Sequence, residues 1–231
     1  MKKKFIIVLT VIALLFGAGV FTNKLYMDNK IEKLKTQMFP ITKELSSYDV
    51  KPIEASWIFD PSDEAKMVYF YDCVFIARVD EIVGTTYRNV EKLNSGKINA
   101  DPYTNYKITN LYNIKGDTVT GTSIPFAVFG GVDYKQKYVS FIADTSFIEV
   151  GKTYLIVARI EENGELSAFG PNTVIPLSDG KEADVSVLNA SDIAKKYKSV
   201  IDKYEKAIEK NDDEFAPQVR YESKYSAVAV K

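Results

Sequence analysis

The run Cys73-Val74-Phe75-Ile76-Ala77-Arg78-Val79-Asp80-Glu81-Ile82-Val83 has only three charged residues and is otherwise apolar. Successive side chains on a strand point to opposite faces, so a run this apolar needs cover on both of them. It reads as a central strand. A second run of this kind, Tyr154 to Ile160, follows the turn Gly151-Lys152-Thr153. Between the two, Tyr103 to Ile114 alternates Tyr106 and Ile108 against Lys107 and Thr109, the pattern of a half-exposed strand. Lys115-Gly116-Asp117 is a hairpin-type turn into Thr118–Phe129, which ends at Gly130-Gly131. Tyr138–Ala143 and Glu165–Phe169 are shorter strand candidates, the latter after Asn163-Gly164. Residues 84–102 hold Gly84, Asn89, Asn94, Ser95, Gly96 and Asp101-Pro102, and read as a long polar loop. The aromatics, 15 Tyr and 13 Phe beside the single Trp57, suit half-buried strands.

Helical periodicity appears in two places. Ile193, Tyr197, Val200, Ile201, Tyr204 and Ile208 fall on one face of residues 189–210, which predicts a closing helix. Leu25, Ile31, Leu34, Met38 and Ile41 form a narrower stripe over 24–47, a helical juxtamembrane stalk interrupted by Pro40. Residues 48–66 read as irregular, and 65–71 as a short helix feeding the first strand. Residues 48–210 thus form one β domain, and 211–231, without a period, reads as a mobile tail.

Lys2-Lys3-Lys4 precede an apolar stretch from Phe5 to Phe21, broken only by Thr10 and glycines. Positive charge before such a stretch marks residues 1–23 as a signal peptide or signal anchor, with the lysines inside. The expectation is a cell-membrane protein, single pass through residues 5–21, with its C-terminal domain outside. The alternative is secretion after cleavage near Gly17-Ala18-Gly19.

The chain contains no histidine and one cysteine, Cys73. Ser-His-Asp and Cys-His catalysis, His-ligated zinc and an intrachain disulfide are therefore excluded. Cys73, inside an apolar run, reads as a small buried hydrophobe. The acidic groups Asp60/Asp63/Glu64 and Asp212/Asp213/Glu214 lack calcium-loop spacing and read as a helix cap and a solvated tail. Asp80 and Glu81 are adjacent, so on a strand they diverge and cannot face each other across a substrate. Gly130-Gly131 lacks the surroundings of a phosphate loop. No cofactor or metal is expected. Beyond the N-terminal lysines the chain is mildly acidic, so nucleic acid is not an expected partner.

The succession Val74–Val79, Tyr106–Thr109, Asn113–Asp117, Phe129-Gly130-Gly131 and Gly151–Val157 resembles small bacterial secreted or membrane-anchored barrel proteins akin to the netrin module and the metalloproteinase-inhibitor barrel. The resemblance spans about residues 70–170. It implies a mainly β protein with a small OB-like barrel of five to six strands and flanking helices. The cysteines that staple the animal versions have no counterpart here. On this reading Tyr87, Tyr103, Tyr106 and Tyr112 are exposed rings able to stack on a protein or cell-wall glycan ligand. The function expected is a non-catalytic binding or accessory module. The alternatives are a cell-envelope hydrolase using carboxylates, or a structural anchor of a membrane complex.

Overall fold

The computed structural model describes residues 24–142, 145, 147–177, 189–210, 214–215, 217 and 219–227. The segment read as signal or anchor, 1–23, lies outside them. The fold is mainly β. In chain order it comprises helix α1 (24–36), a single 3-10 turn Leu45–Ser47 and strand β1 (Asp49–Ile53). Helix α2 (Glu64–Phe70) follows, then strands β2 (Cys73–Lys92), β3 (Ile98–Lys115), β4 (Ser123–Phe129), β5 (Gly131–Val132) and β6 (Tyr138–Ile142). The chain continues with β7 (Thr153–Ile160), β8 (Leu166–Ala168), β9 (Val174–Pro176) and helices α3 (Ala190–Lys196) and α4 (Lys198–Glu209).

The larger sheet runs β2-β3-β4-β8-β7-β9, and β2 also pairs with β7. Five strands therefore pair in a ring: β2, β3, β4, β8, β7 and back to β2. All of these pairings are antiparallel except β4 with β8. A smaller sheet, β1-β6-β5, lies alongside, with β1 and β6 parallel.

The doubly apolar run does what its pattern requires. Cys73, Phe75, Ala77 and Val79 join one core with Tyr106, Ile108, Phe126, Ile156 and Leu166. Val74 and Ile76 join another with Leu155, Val157 and the helices. The two-residue period thus divides β2 and β7 between two cores. Cys73 is a free, buried thiol within the first core. Burial pushes it up to about 11, so it stays protonated.

The helices cover the second core. Asp63 caps α2 by accepting from the backbone N–H groups of Ala65 and Lys66, at 3.0 and 3.3 Å. Residues 190–209 are helical except at Tyr197 (φ −106°), which separates α3 from α4. Ile193, Tyr197, Ile201, Tyr204 and Ala207 are buried there beside Met67 and Val68 of α2. Each of the larger apolar side chains contributes about 1.5–3 kcal/mol of burial.

Several sequence expectations change, among them the irregular reading of 48–66, which contains β1. The helix over 24–47 ends at 36, and the chain is then extended enough for Phe39 to bridge Thr85. Residues 84–102 are not a loop: all but a turn at 93–97 belongs to β2 and β3. The apparent breakers lie at irregularities of register, between Ile82 and Gly84 and between Arg88 and Glu91, where Asn89 takes φ +49°. Such bulges admit turn-type residues without ending a strand.

A further change concerns the C-terminal segment. Residues 219–227 strap the domain. Val119 N–H donates to Tyr225 O, Lys224 N–H to Gly164 O and Ala227 N–H to Asp117 O. Arg220 pairs with Asp72 and donates to the carbonyls of Tyr69 and Tyr71. Single backbone pairings of this kind leave no periodic trace in a sequence. The Asp72 side chain is only 7% exposed, so removing its cation leaves a buried carboxylate without its charge partner. Arg220→Ala is expected to cost about 1.5–3 kcal/mol of stability, read as a lower denaturation midpoint. A change under about 0.5 kcal/mol would show that the strap is energetically idle.

Candidate binding groove

The small sheet β1-β6-β5 stands beside the ring of strands. Between them runs an open groove of about 870 Å³, a size typical of ligand sites. Its walls come from three parts of the chain. Ile41, Leu45, Tyr48 and Val50 line one side. Val139 and Phe141 of β6 line another, with Phe147 packed edge-to-face on Phe141 at 5.4 Å between ring centroids. Ile82 of β2, together with Ile148 and Val150, belongs to the third.

Local chemistry explains how these walls are held. Asp133 is buried and accepts from the backbone N–H groups of Lys135, Lys137 and Tyr138, which fixes the β5–β6 connection. Gln136 in that turn accepts from the Tyr48 hydroxyl at 3.1 Å and so ties the 41–48 segment to the hairpin. Tyr48, Val132 and Val139 form a small core beneath, against which Ile41, Leu45, Phe141 and Phe147 pack.

The apolar walls remain accessible: Val50 is 55% exposed and Val150 is 52% exposed. Charge is supplied by Lys43, Glu44 and Glu149. Glu149 is already paired with Lys152 at 2.7 Å. Among the described residues no group of three His, Cys, Asp or Glu side chains is placed to hold a metal ion. The arrangement can desolvate an apolar guest.

Asp80 and Glu81, the adjacent pair weighed from sequence, lie elsewhere and are occupied, whereas Asp212 and Asp213 fall outside the described residues. Asp80 accepts from Arg78, Thr109 and Ser123. Burial would raise it, but these partners hold it below the usual range. Glu81 pairs with Lys107 at 2.7 Å. Glu161 is held low in the same way, with the Ser167 hydroxyl and Arg88 overriding its burial.

The four tyrosines do not form an exposed face, and that expectation is corrected. Tyr106 is 1% exposed, inside the ring of strands. Tyr87 is buried under α1, where its hydroxyl donates to Val132 O at 3.0 Å. Tyr103 is covered by Arg88, 4.0 Å from its ring centroid, and by an edge-to-face contact with Phe129. Tyr112 is partly buried against the helix-covered core. Burial raises the hydroxyls of Tyr87, Tyr103 and Tyr106 above the ordinary range.

Sequence reasoning missed the groove because its walls are far apart in the chain. No local signal marks it: of β1 only Val50 reaches the groove, from a segment that Pro52 makes read as irregular. Neither a scan against protein-family models nor a search of curated proteins finds a match to this chain.

Proposed function

We propose that this is an extracytoplasmic, membrane-anchored binding module without catalytic activity, built on an OB-type barrel. Its groove would take an apolar segment of another protein. The observation that carries this reading is the groove itself: wide, open, walled by Ile41, Leu45, Val50, Phe141, Phe147 and Val150, with few charged groups. Exposed apolar surface gathered in one place marks an interaction site. A protein segment rich in aliphatic and aromatic side chains fits such walls better than a glycan, whose hydroxyls would be left without partners.

The OB-type reading is supported by the ring of five strands, in which β4 and β8 are the one parallel pair. The anchor is supported by Lys2–Lys4 followed by the apolar run Phe5–Phe21. No helix among the described residues is long and apolar enough to cross a membrane.

Panning a random peptide library on the full chain tests the groove. Selected peptides are expected to be rich in Leu, Ile, Phe and Trp. They should bind the double variant Val50→Asp/Val150→Asp about tenfold or more weakly, about 1.4 kcal/mol. Both positions are exposed, so the fold should survive. Peptides that bind variant and parent equally would overturn the site. Turnover of cell-wall fragments, lost on replacing one carboxylate, would favour a hydrolase instead.

A further inference from the structure

β2 and β3 are much longer than the other strands, and their last residues form an arm. The pairings Arg88–Asp101, Glu91–Asn99 and Lys92–Ile98 carry it to a tight turn, where Leu93 N–H donates to Lys97 O and Gly96 N–H to Leu93 O. Helix α1 runs along this arm in a definite direction. Phe39 bridges Thr85 near the arm's base. Lys35 lines a surface groove with Arg88, Asn89, Val90 and Glu91. Leu34, Ile31 and Met27 pack with Tyr87, Val90 and Ile98.

Going backwards from Phe39, α1 therefore climbs towards the turn. At about 1.5 Å per helical residue Lys35 to Lys24 covers roughly 16 Å, and Met27 in the first turn of α1 packs in the same cluster as Ile98, the partner of Lys92 at the foot of the turn. The start of α1 and the turn of the arm thus lie at the same end of the domain. The apolar run Phe5–Phe21 stops three residues before Lys24.

The residues at this end suit a bilayer. Leu93 sits 42% exposed at the turn, between the exposed Lys92 and Lys97. Leu25 and Tyr26 are 48% and 64% exposed at the same end, beside Lys24. Glu91 and Asp28 are the exposed acids nearby. An apolar tip flanked by lysines, next to an exposed tyrosine, is the chemistry of an interfacial contact with anionic lipid.

We infer that the turn 93–97 is a second membrane contact, in which Leu93 enters the interface and Lys92 and Lys97 meet anionic headgroups. This rests on the anchor reading above. Two contacts fix the arm upright, so α1 and the hairpin together hold the ring of strands away from the lipid.

The test uses the full chain carrying Ser95→Cys. Cys73 is 2% exposed, so an environment-sensitive fluorophore should label residue 95 selectively. The protein is reconstituted into vesicles of phosphatidylcholine with or without phosphatidylglycerol, each containing a brominated quencher lipid. Strong quenching is expected with phosphatidylglycerol, and at least a threefold loss of it in Leu93→Asp or in Lys92→Gln/Lys97→Gln. A chain that floats with the vesicles while its fluorophore stays unquenched overturns the contact and leaves the anchor standing. A chain that does not float with vesicles overturns the anchor and the contact together. Equal quenching without phosphatidylglycerol overturns the role given to the lysines.

Discussion

Tyr106→Ala is expected to lower the free energy of unfolding by about 3–5 kcal/mol, the cost of emptying a large aromatic site in a closed core. Tyr106 is 1% exposed and lies opposite Phe126 on β4 and Ile82 on β2. It packs in the core that also holds Phe75, Ile108, Ile156 and Leu166. Strands paired in a ring cannot easily move inward to fill a hole, so little of the loss should be recovered by relaxation. Chemical denaturation of the full chain measures it. A loss below about 1 kcal/mol would mean that the side chain is not enclosed as described. Tyr112→Ala, at a partly buried position, should cost clearly less.

Gly130→Ala should cost about 3 kcal/mol or more, although it adds a single methyl group. Gly130 sits at φ +106° where the chain leaves β4 for the small sheet. Side chains rarely tolerate that backbone conformation, and strain of this kind costs about 1–3 kcal/mol. A Cβ there would also lie 2.8 Å from Phe141 Cβ and 2.9 Å from Ser140 O, neither of which is a flexible tip. The glycine cannot shift away. Its N–H donates to Pro102 O, and its carbonyl accepts from the Thr104 N–H and hydroxyl. Because Phe141 lines the groove, peptide binding should weaken along with stability. Unchanged stability would show that this corner is more pliant than its hydrogen bonds imply.

Much of the fold is legible in local pattern, and the failures have a common cause. The apolar runs 73–83 and 154–160 announce a strand covered on both faces, and the structure divides them between two cores. The alternation of Tyr106 and Ile108 with Lys107 is also visible, and it points Tyr106 inwards. An exposed Tyr106 is inconsistent with the same alternation, which sets it on the face opposite Lys107. The 84–102 segment reads as a loop because Gly84, Asn89 and Asp101-Pro102 are turn formers by composition, while cross-strand pairing overrides them. β1 was lost to Pro52, which an edge strand tolerates. The groove and the strap are assembled by contacts between distant parts of the chain, such as Tyr48 with Gln136 and Asp72 with Arg220. No period within one segment encodes those meetings.

The order in which these contacts can form has a consequence for biogenesis. β2 meets β7 only after the intervening strands have been synthesised, and Asp72 meets Arg220 across 148 positions of sequence. Contacts this remote make loop closure costly before they repay it, so folding is slow relative to local structure formation. A nascent chain that stops short of Ala168 lacks β8, without which the ring of strands cannot close. The ring therefore stays open while the polypeptide is being made, which on the anchor reading proposed above would keep the chain threadable through a translocation channel before it folds.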